Sequence, residues 1–383
     1  MTRQGRHAIA ASTVFTGTEM LRDRTVVIEA GNIAAILPQP PEAMPCVRLA
    51  KDRLLAPGFV DLQVNGGGGV LFNDSIDEAG LGRIATAHRS RGTTSILPTL
   101  ISGTRAQLRQ AMETAAAAIA AGQPGIVGLH LEGPFLNPVR RGIHPAAAIA
   151  ALTDPDLAWL AGVFPAPLLL TLAPEMVPMA AIARLAAAGR IVFAGHTEAS
   201  AEQSMAALDA GMTGFTHLFN AMSQLSARAP GAVGAALAHP TARAGIILDG
   251  HHVHPAAARA ARAAMGSERL FLVSDAMPTA GSSIEEFQLG ATRIRLLDGR
   301  LVDEAGTLAG AHLTLDVAVR NAVRLLDCPV ADALRMATST PAISIGLGHT
   351  IGHIRPGCRA DLVALDGDLH PVAVWISGAR MAD

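Results

Sequence analysis

Eight short apolar runs recur along this chain of 383 residues, and their spacing restricts the fold more than any other feature. From Pro57 onward they read GFVDLQVN, TTSILPTLI, GIVGLHLEG, PLLLTLAPE, RIVFAGHTE, GFTHLF, AGIILDGHH and LFLVSDAMP. Each closes in a cluster of polar residues, and alanine-rich helical stretches such as LRQAMETAAAAIAAG and AEQSMAALDAGM intervene. Strands alternating with helices imply a parallel sheet, and eight repeats match a (β/α)8 TIM-type barrel. A doubly wound open sheet is the rival, but the first turn after an apolar run lacks the Gly-x-Gly-x-x-Gly fingerprint; Gly66–Gly69 is a plain glycine run.

The two ends of the chain read differently. RTVVIEAGNIAAILP has the pattern of two short strands around a Gly-Asn turn, and GHIRPGCRADLVALDGDLHPVAVWISG that of strands broken by Pro-Gly and Asp-Gly. The expected organisation is a small β-sandwich domain built from residues 1–55 and 348–383, flanking a barrel over 56–347.

Bulk properties narrow the function. A net charge of −2, with no Lys/Arg-rich block, argues against a nucleic-acid partner or an anionic membrane surface. No apolar stretch is long enough to span a bilayer, and the N-terminus lacks a signal-peptide core with a cleavage site. Cys46, Cys328 and Cys358 are too few and too scattered for a disulfide framework or a zinc knuckle, so a reduced, cytoplasmic protein is expected. Lys51 is the sole lysine, which leaves Schiff-base and P-loop chemistry without its central residue.

Glu132, Glu175, His196, His217, Asp249 and Asp275 all fall at or just past the end of an apolar run. In a barrel those ends meet on one face, where active sites lie. Singly, each reads equally well as a helix cap, a core histidine or a turn carboxylate; together they point to a shared site. Glu132, His196 and His217 offer one oxygen and two nitrogens from three strands, the donor set of a catalytic metal site with an open position. Zinc and ferrous iron both suit it. Asp275 is then the natural general base for a water activated by the metal. On the first strand, where many metal-dependent barrel hydrolases carry His-x-His, this chain has Gln63-Val64-Asn65. Amides are poor zinc ligands, and the fourth strand has no lysine to carboxylate, so one divalent ion per subunit is expected, with Gln63 and Asn65 marking a vestigial second site.

The segments PGFVDLQVNGGGGVLFND, HLEGPFLNPVRRGIHP, GHTEAS, GFTHLFNAMS, ILDGHHVHP, VSDAMPTAG and GTLAGAHL, in this order from Pro57 to about Leu313, resemble the N-acetylglucosamine-6-phosphate deacetylase branch of the amidohydrolase superfamily. The resemblance implies hydrolysis of the acetamide of N-acetylglucosamine 6-phosphate to glucosamine 6-phosphate and acetate, in amino-sugar catabolism and cell-wall sugar recycling. It implies that Glu132, His196 and His217 bind the metal. Asp275 would activate the water and then protonate the leaving amine, and His144 would help polarise the carbonyl. Ile143, Asn220, Ala221 and Asp249 would contact the sugar, with Leu308, Ala309 and Gly310 closing over it. Arg228 and His252 would hold the phosphate, Arg228 reaching across a homodimer interface. His88, His312 and His353 are expected to be structural, and His130 to support the site without binding metal. The rival readings are another amidohydrolase, such as a deaminase or a deacetylase for an unphosphorylated or differently acylated amino sugar, and a non-enzymatic scaffold on the same barrel.

Overall fold

The computed structural model describes residues 5–382. All eight apolar runs become parallel strands of one sheet: β1 (Phe59–Val64), β2 (Thr93–Ile101), β3 (Leu129–Glu132), β4 (Leu168–Leu172), β5 (Ile191–Ala194), β6 (Gly214–Phe215), β7 (Arg243–Ile246) and β8 (Leu270–Leu272). Neighbours in sequence are neighbours in the sheet, paired in parallel throughout. Every residue of β1 and β2 is buried, because helices cover one face and the barrel interior the other.

The helices start where the sequence supplies caps. Thr104 caps Arg105–Ala120 and Ser200 caps Ala201–Asp209, each in a reciprocal box with a glutamine three residues on. The first helix buries Leu108, Ala111, Ala115 and Ala118 and leaves Arg105, Arg109, Gln110 and Glu113 exposed. Among the described residues no helix is long and apolar enough to cross a membrane.

β8 does not close the barrel by a regular ladder. The seam with β1 is made just beyond the strand, where the Asp275 N–H donates to the Gln63 carbonyl (3.0 Å) and the Asn65 N–H to the Ala276 carbonyl (3.0 Å). Asp61 adds a side-chain stitch: its Oδ1 accepts from the backbone N–H of Gln63 and of Ser274, each at 3.2 Å. The Ser274 hydroxyl donates back to the Gln63 carbonyl at 3.3 Å. Asp61 is fully buried, and burial pushes its carboxyl up to about 7.

Below the strand ends, the barrel interior holds a polar layer. His130 Nδ1 lies 3.2 Å from the Thr99 hydroxyl and its Nε2 2.7 Å from the Thr171 hydroxyl, which meets the Thr216 hydroxyl at 2.6 Å. With both nitrogens bonded, His130 satisfies the rule for buried polar groups, and burial lowers its pKa to about 4.

Strands from the two chain ends join in one eight-stranded sheet, with Leu362–Leu365 antiparallel to Leu54–Pro57 and a separate buried cluster that includes Ile9, Val26, Ile33 and Trp375. The turn between the antiparallel strands Met20–Glu29 and Asn32–Leu37 sits on Ala30-Gly31, both at positive φ, rather than on Gly31-Asn32, because Asn32 already pairs with Glu29. A further four-stranded antiparallel sheet occupies Glu286–Ala311. It falls where the repeat ends, and its short strands, two of which carry arginine, give little apolar signal.

Replacing Asp61 by alanine leaves two buried N–H groups at the seam without an acceptor and is expected to cost about 2 kcal/mol. Thermal melting at neutral pH reads this directly, and an unchanged midpoint would mean that the backbone bonds alone hold the seam.

Candidate active site at the C-terminal rim of the barrel

Glu132 ends β3 and is sealed from water, 2% exposed. Its Oε1 lies 3.0 Å from His217 Nε2 and 3.3 Å from His196 Nε2, and the two ring nitrogens are 3.1 Å apart. These three donors form a group that can hold a metal ion. The imidazole orientations support that use. His196 donates Nδ1–H to the Arg140 carbonyl at 2.8 Å, so its Nε2 presents a lone pair to the centre. A lone pair facing a carboxylate oxygen at this distance is repulsive unless a proton or a cation lies between them. His217 Nδ1, in turn, is buried without a partner. A set of two nitrogens and one carboxylate oxygen fits a zinc-like or ferrous-like ion with an open position. Burial by itself would raise the Glu132 carboxyl, but hydrogen bonds and charge from His196 and His217 hold it well below the usual range.

Three rim residues bend the backbone into the left-handed region: His196 (φ 51°), His217 (φ 32°) and Asp275 (φ 50°). The conformation is costly for any residue with a Cβ, about 1–3 kcal/mol, and histidine and aspartate tolerate it better than most. It occurs just beyond β5, β6 and β8, where the chain leaves the sheet and presents the site residues.

Asp275 faces Glu132 across two amides. Gln63 Nε2 donates to both Glu132 Oε1 and Asp275 Oδ1, each at 3.1 Å, and Asn65 Nδ2 donates to Asp275 Oδ1 at 2.6 Å. Burial, and then the charge on Glu132, raise Asp275 to about 6. His144 has the opposite problem. Burial, with His196 next, lowers it to about 3, so the ring is neutral. The Ser102 N–H donates to its Nδ1 (3.2 Å), which places the remaining proton on Nε2, 4.0 Å from Glu132 Oε2. His144 is thus a neutral donor aimed into the site.

These residues line a cavity of about 350 Å³ with Asn65, Ile143, Asn220, Ala221, His252, Leu308 and Gly310. Gly310 is at φ +58°, and a Cβ there would come within 2.7 Å of the Met277 side chain and 2.9 Å of the Asp275 carbonyl. Its absence lets the 308–311 strand pack against the segment that carries Asp275, where the Ala311 N–H donates to the Asp275 carbonyl at 2.9 Å. Asp249 stands behind the wall: it binds His252 Nδ1 at 2.6 Å and accepts from the backbone N–H groups of His251 and His252. That leaves His252 Nε2 free, and only His252 of the two adjacent histidines lines the cavity.

Several expected residues lie elsewhere. Arg228 is exposed and Ala309 is fully buried; neither lines the cavity. Glu175 braces loops instead, accepting from Asn137 Nδ2 (2.9 Å), the Glu198 N–H (2.6 Å) and the Thr197 hydroxyl (2.5 Å). His88 bonds the Gly66 carbonyl, His312 the Thr279 hydroxyl and His353 the Ile351 carbonyl, all outside the cavity. Conversely, Arg140, Thr307 and Met277 line the cavity without having been singled out from the sequence. The RRGIHP motif contains Arg140, but a charge in a loop carries no period or capping pattern to mark it.

The model of the Amidohydrolase family matches residues 54–381. An N-acetylgalactosamine-6-phosphate deacetylase of Shewanella sp. (strain ANA-3) is 44% identical over 87% of this chain and 84% of its own length. An N-acetylglucosamine-6-phosphate deacetylase of Vibrio furnissii is 34% identical over 98% of this chain and 95% of its own. Among solved structures, the N-acetylglucosamine-6-phosphate deacetylase of Pasteurella multocida superposes with a TM-score of 0.94 at 32% identity, covering 99% of this chain and 100% of its own. A mutant of the Mycobacterium smegmatis enzyme, solved in complex with N-acetyl-D-glucosamine-6-phosphate, gives 0.91 at 33% identity over 98% and 99%. The chain belongs to the amidohydrolase family, in the branch formed by the N-acetylhexosamine-6-phosphate deacetylases.

Proposed function

We propose that this chain hydrolyses the acetamide of N-acetylglucosamine 6-phosphate, yielding glucosamine 6-phosphate and acetate. The observation that carries the reading is the juxtaposition, in one cavity, of a three-donor metal site, a buried aspartate with a raised pKa and a neutral histidine donor. A divalent cation held by Glu132, His196 and His217 would supply Lewis-acid polarisation of the carbonyl and acidify the attacking water. Gln63 and Asn65 direct N–H groups at the two carboxylates, a use of the amides as donors that supports a single cation.

The protein's own groups perform the proton transfers. Asp275 takes the proton from the attacking water and returns it to nitrogen as the C–N bond breaks, while the Gln63 and Asn65 amides hold its oxygen in place. His144 Nε2–H donates to the carbonyl oxygen as negative charge grows there. Asn220, Ala221 and His252 position the sugar phosphate away from the reacting bond. Leu308 and Gly310 cover the sugar, with Ala309 packed beneath them. Arg228, exposed on its own subunit, suits a contact delivered across a homodimer. Three free cysteines suit a cytoplasmic enzyme of amino-sugar breakdown.

The galacto epimer is a second reading, favoured by the 44% identity to the Shewanella protein. Acetate release from the 6-phosphates of N-acetylglucosamine and N-acetylgalactosamine, beside both unphosphorylated sugars, tests both readings. The expected result is strong preference for a phosphorylated sugar; equal turnover with and without phosphate would remove His252 and Arg228 from phosphate recognition.

Asp275→Asn is expected to lower kcat by about 10²–10⁴-fold with metal content unchanged. Loss of metal from that variant would make Asp275 a ligand and not a base. Because only the ionised aspartate can accept a proton, kcat/KM should fall as pH drops through the Asp275 pKa. A nearby cation opposes the rise in that value, so the acidic limb belongs at or below about pH 6. An acidic limb centred above pH 7 would contradict the assignment.

A further inference from the structure

The cavity lining offers a phosphate few fixed cations. Glu132 and Asp275 are carboxylates, and His144 Nδ1 already accepts from the Ser102 N–H. His252 has its Nδ1 tied to the Asp249 carboxylate at 2.6 Å. A phosphate monoester carries about −1.5 to −2 charges at neutral pH. Among the described residues that line the cavity, Arg140 is the one arginine, and there is no lysine.

We propose that Arg140 is the cation this chain itself contributes to the substrate's phosphate, held ready beside the cavity by Glu198. The inference rests on the phosphosugar reading above and adds a residue to that site. Arg140 ends the short helix Pro138–Arg140, and its backbone is fixed from two sides. The Asn137 N–H donates to the His196 carbonyl at 2.9 Å, and the Arg140 carbonyl accepts from His196 Nδ1 at 2.8 Å. The guanidinium therefore swings from a fixed Cα. Its Nε pairs with the Glu198 carboxylate, and both side chains of that pair are 38% exposed.

A solvent-exposed pair of this kind is weak, about 0–1 kcal/mol, so exchanging Glu198 for a better anion costs little. A phosphate offers the guanidinium two parallel charge-assisted bonds, which are stronger. Glu198 is itself anchored, its N–H donating to Glu175 Oε1 at 2.6 Å, so the latch stays in place when the arginine leaves. A purely structural latch would need the Arg140–Glu198 pair intact, whereas a reserved cation needs only the arginine. The two uses predict opposite effects of removing Glu198.

The test is calorimetric binding of glucosamine 6-phosphate and of glucosamine to the metal-loaded protein, which requires no turnover. Arg140→Ala is expected to weaken glucosamine 6-phosphate about 10-fold or more while leaving glucosamine affinity unmoved. Arg140→Lys should recover part of the loss, and Glu198→Gln should bind the phosphorylated ligand as tightly as wild type or more tightly. Equal loss for both ligands, parallel weakening by Glu198→Gln, or no phosphate-dependent difference between wild type and Arg140→Ala would each overturn the proposal. Acetate release measured alongside reports separately on the deacetylase reading.

Discussion

A carboxylate sealed inside a barrel is tolerable only when something answers its charge, and Glu132 sets that condition for the rest of the site. His196 and His217 converge on one of its oxygens, and Gln63 binds the same atom. Through Gln63 the condition passes to Asp275, and through His196 to the Arg140 carbonyl and the loop that carries His144. The left-handed backbone at His196, His217 and Asp275 follows from the same demand, since strands that diverge must turn their terminal side chains back to a common point. A cation at this centre would take the place of the proton that must otherwise lie between His196 Nε2 and Glu132, and would remove part of the influence that raises Asp275.

The two carboxylates illustrate how environment divides labour between like groups. Glu132 is held ionised by two imidazoles, whereas Asp275 is pushed toward neutrality by burial and by Glu132 itself. Separation of their proton affinities is what a site needs if one group is to bind a metal and the other to carry protons. The same logic keeps His144 neutral and a donor, because burial, and then the neighbouring imidazoles, disfavour its charged form more than Glu132 favours it.

Much of this was legible in the sequence because parallel barrel strands are buried on both faces. Their apolar runs stand out, and any polar residue at a run's end is conspicuous. That is how Glu132, His196, His217 and Asp275 come to be read together. Glu175 and Asp249 share the positional signal but brace loops and a neighbouring histidine, a distinction that only geometry makes. Arg140 was hidden because no local pattern separates a loop arginine from any other exposed charge, and the Glu286–Ala311 sheet because its strands are short and half exposed. The seam stitched by Asp61 depends on where β1 and β8 fail to pair, which no local pattern records.

The central claim is that Glu132, His196 and His217 form one metal site and that the amides beside them do not form a second. Metal stoichiometry of the purified protein, measured by mass spectrometry on wild type, Glu132→Gln and a Gln63→Ala/Asn65→Ala double variant, tests it most directly. The account predicts one divalent ion per chain in wild type, retention of that ion in the double variant and its loss in Glu132→Gln. Two ions per chain in wild type, with one lost from the double variant, would contradict it.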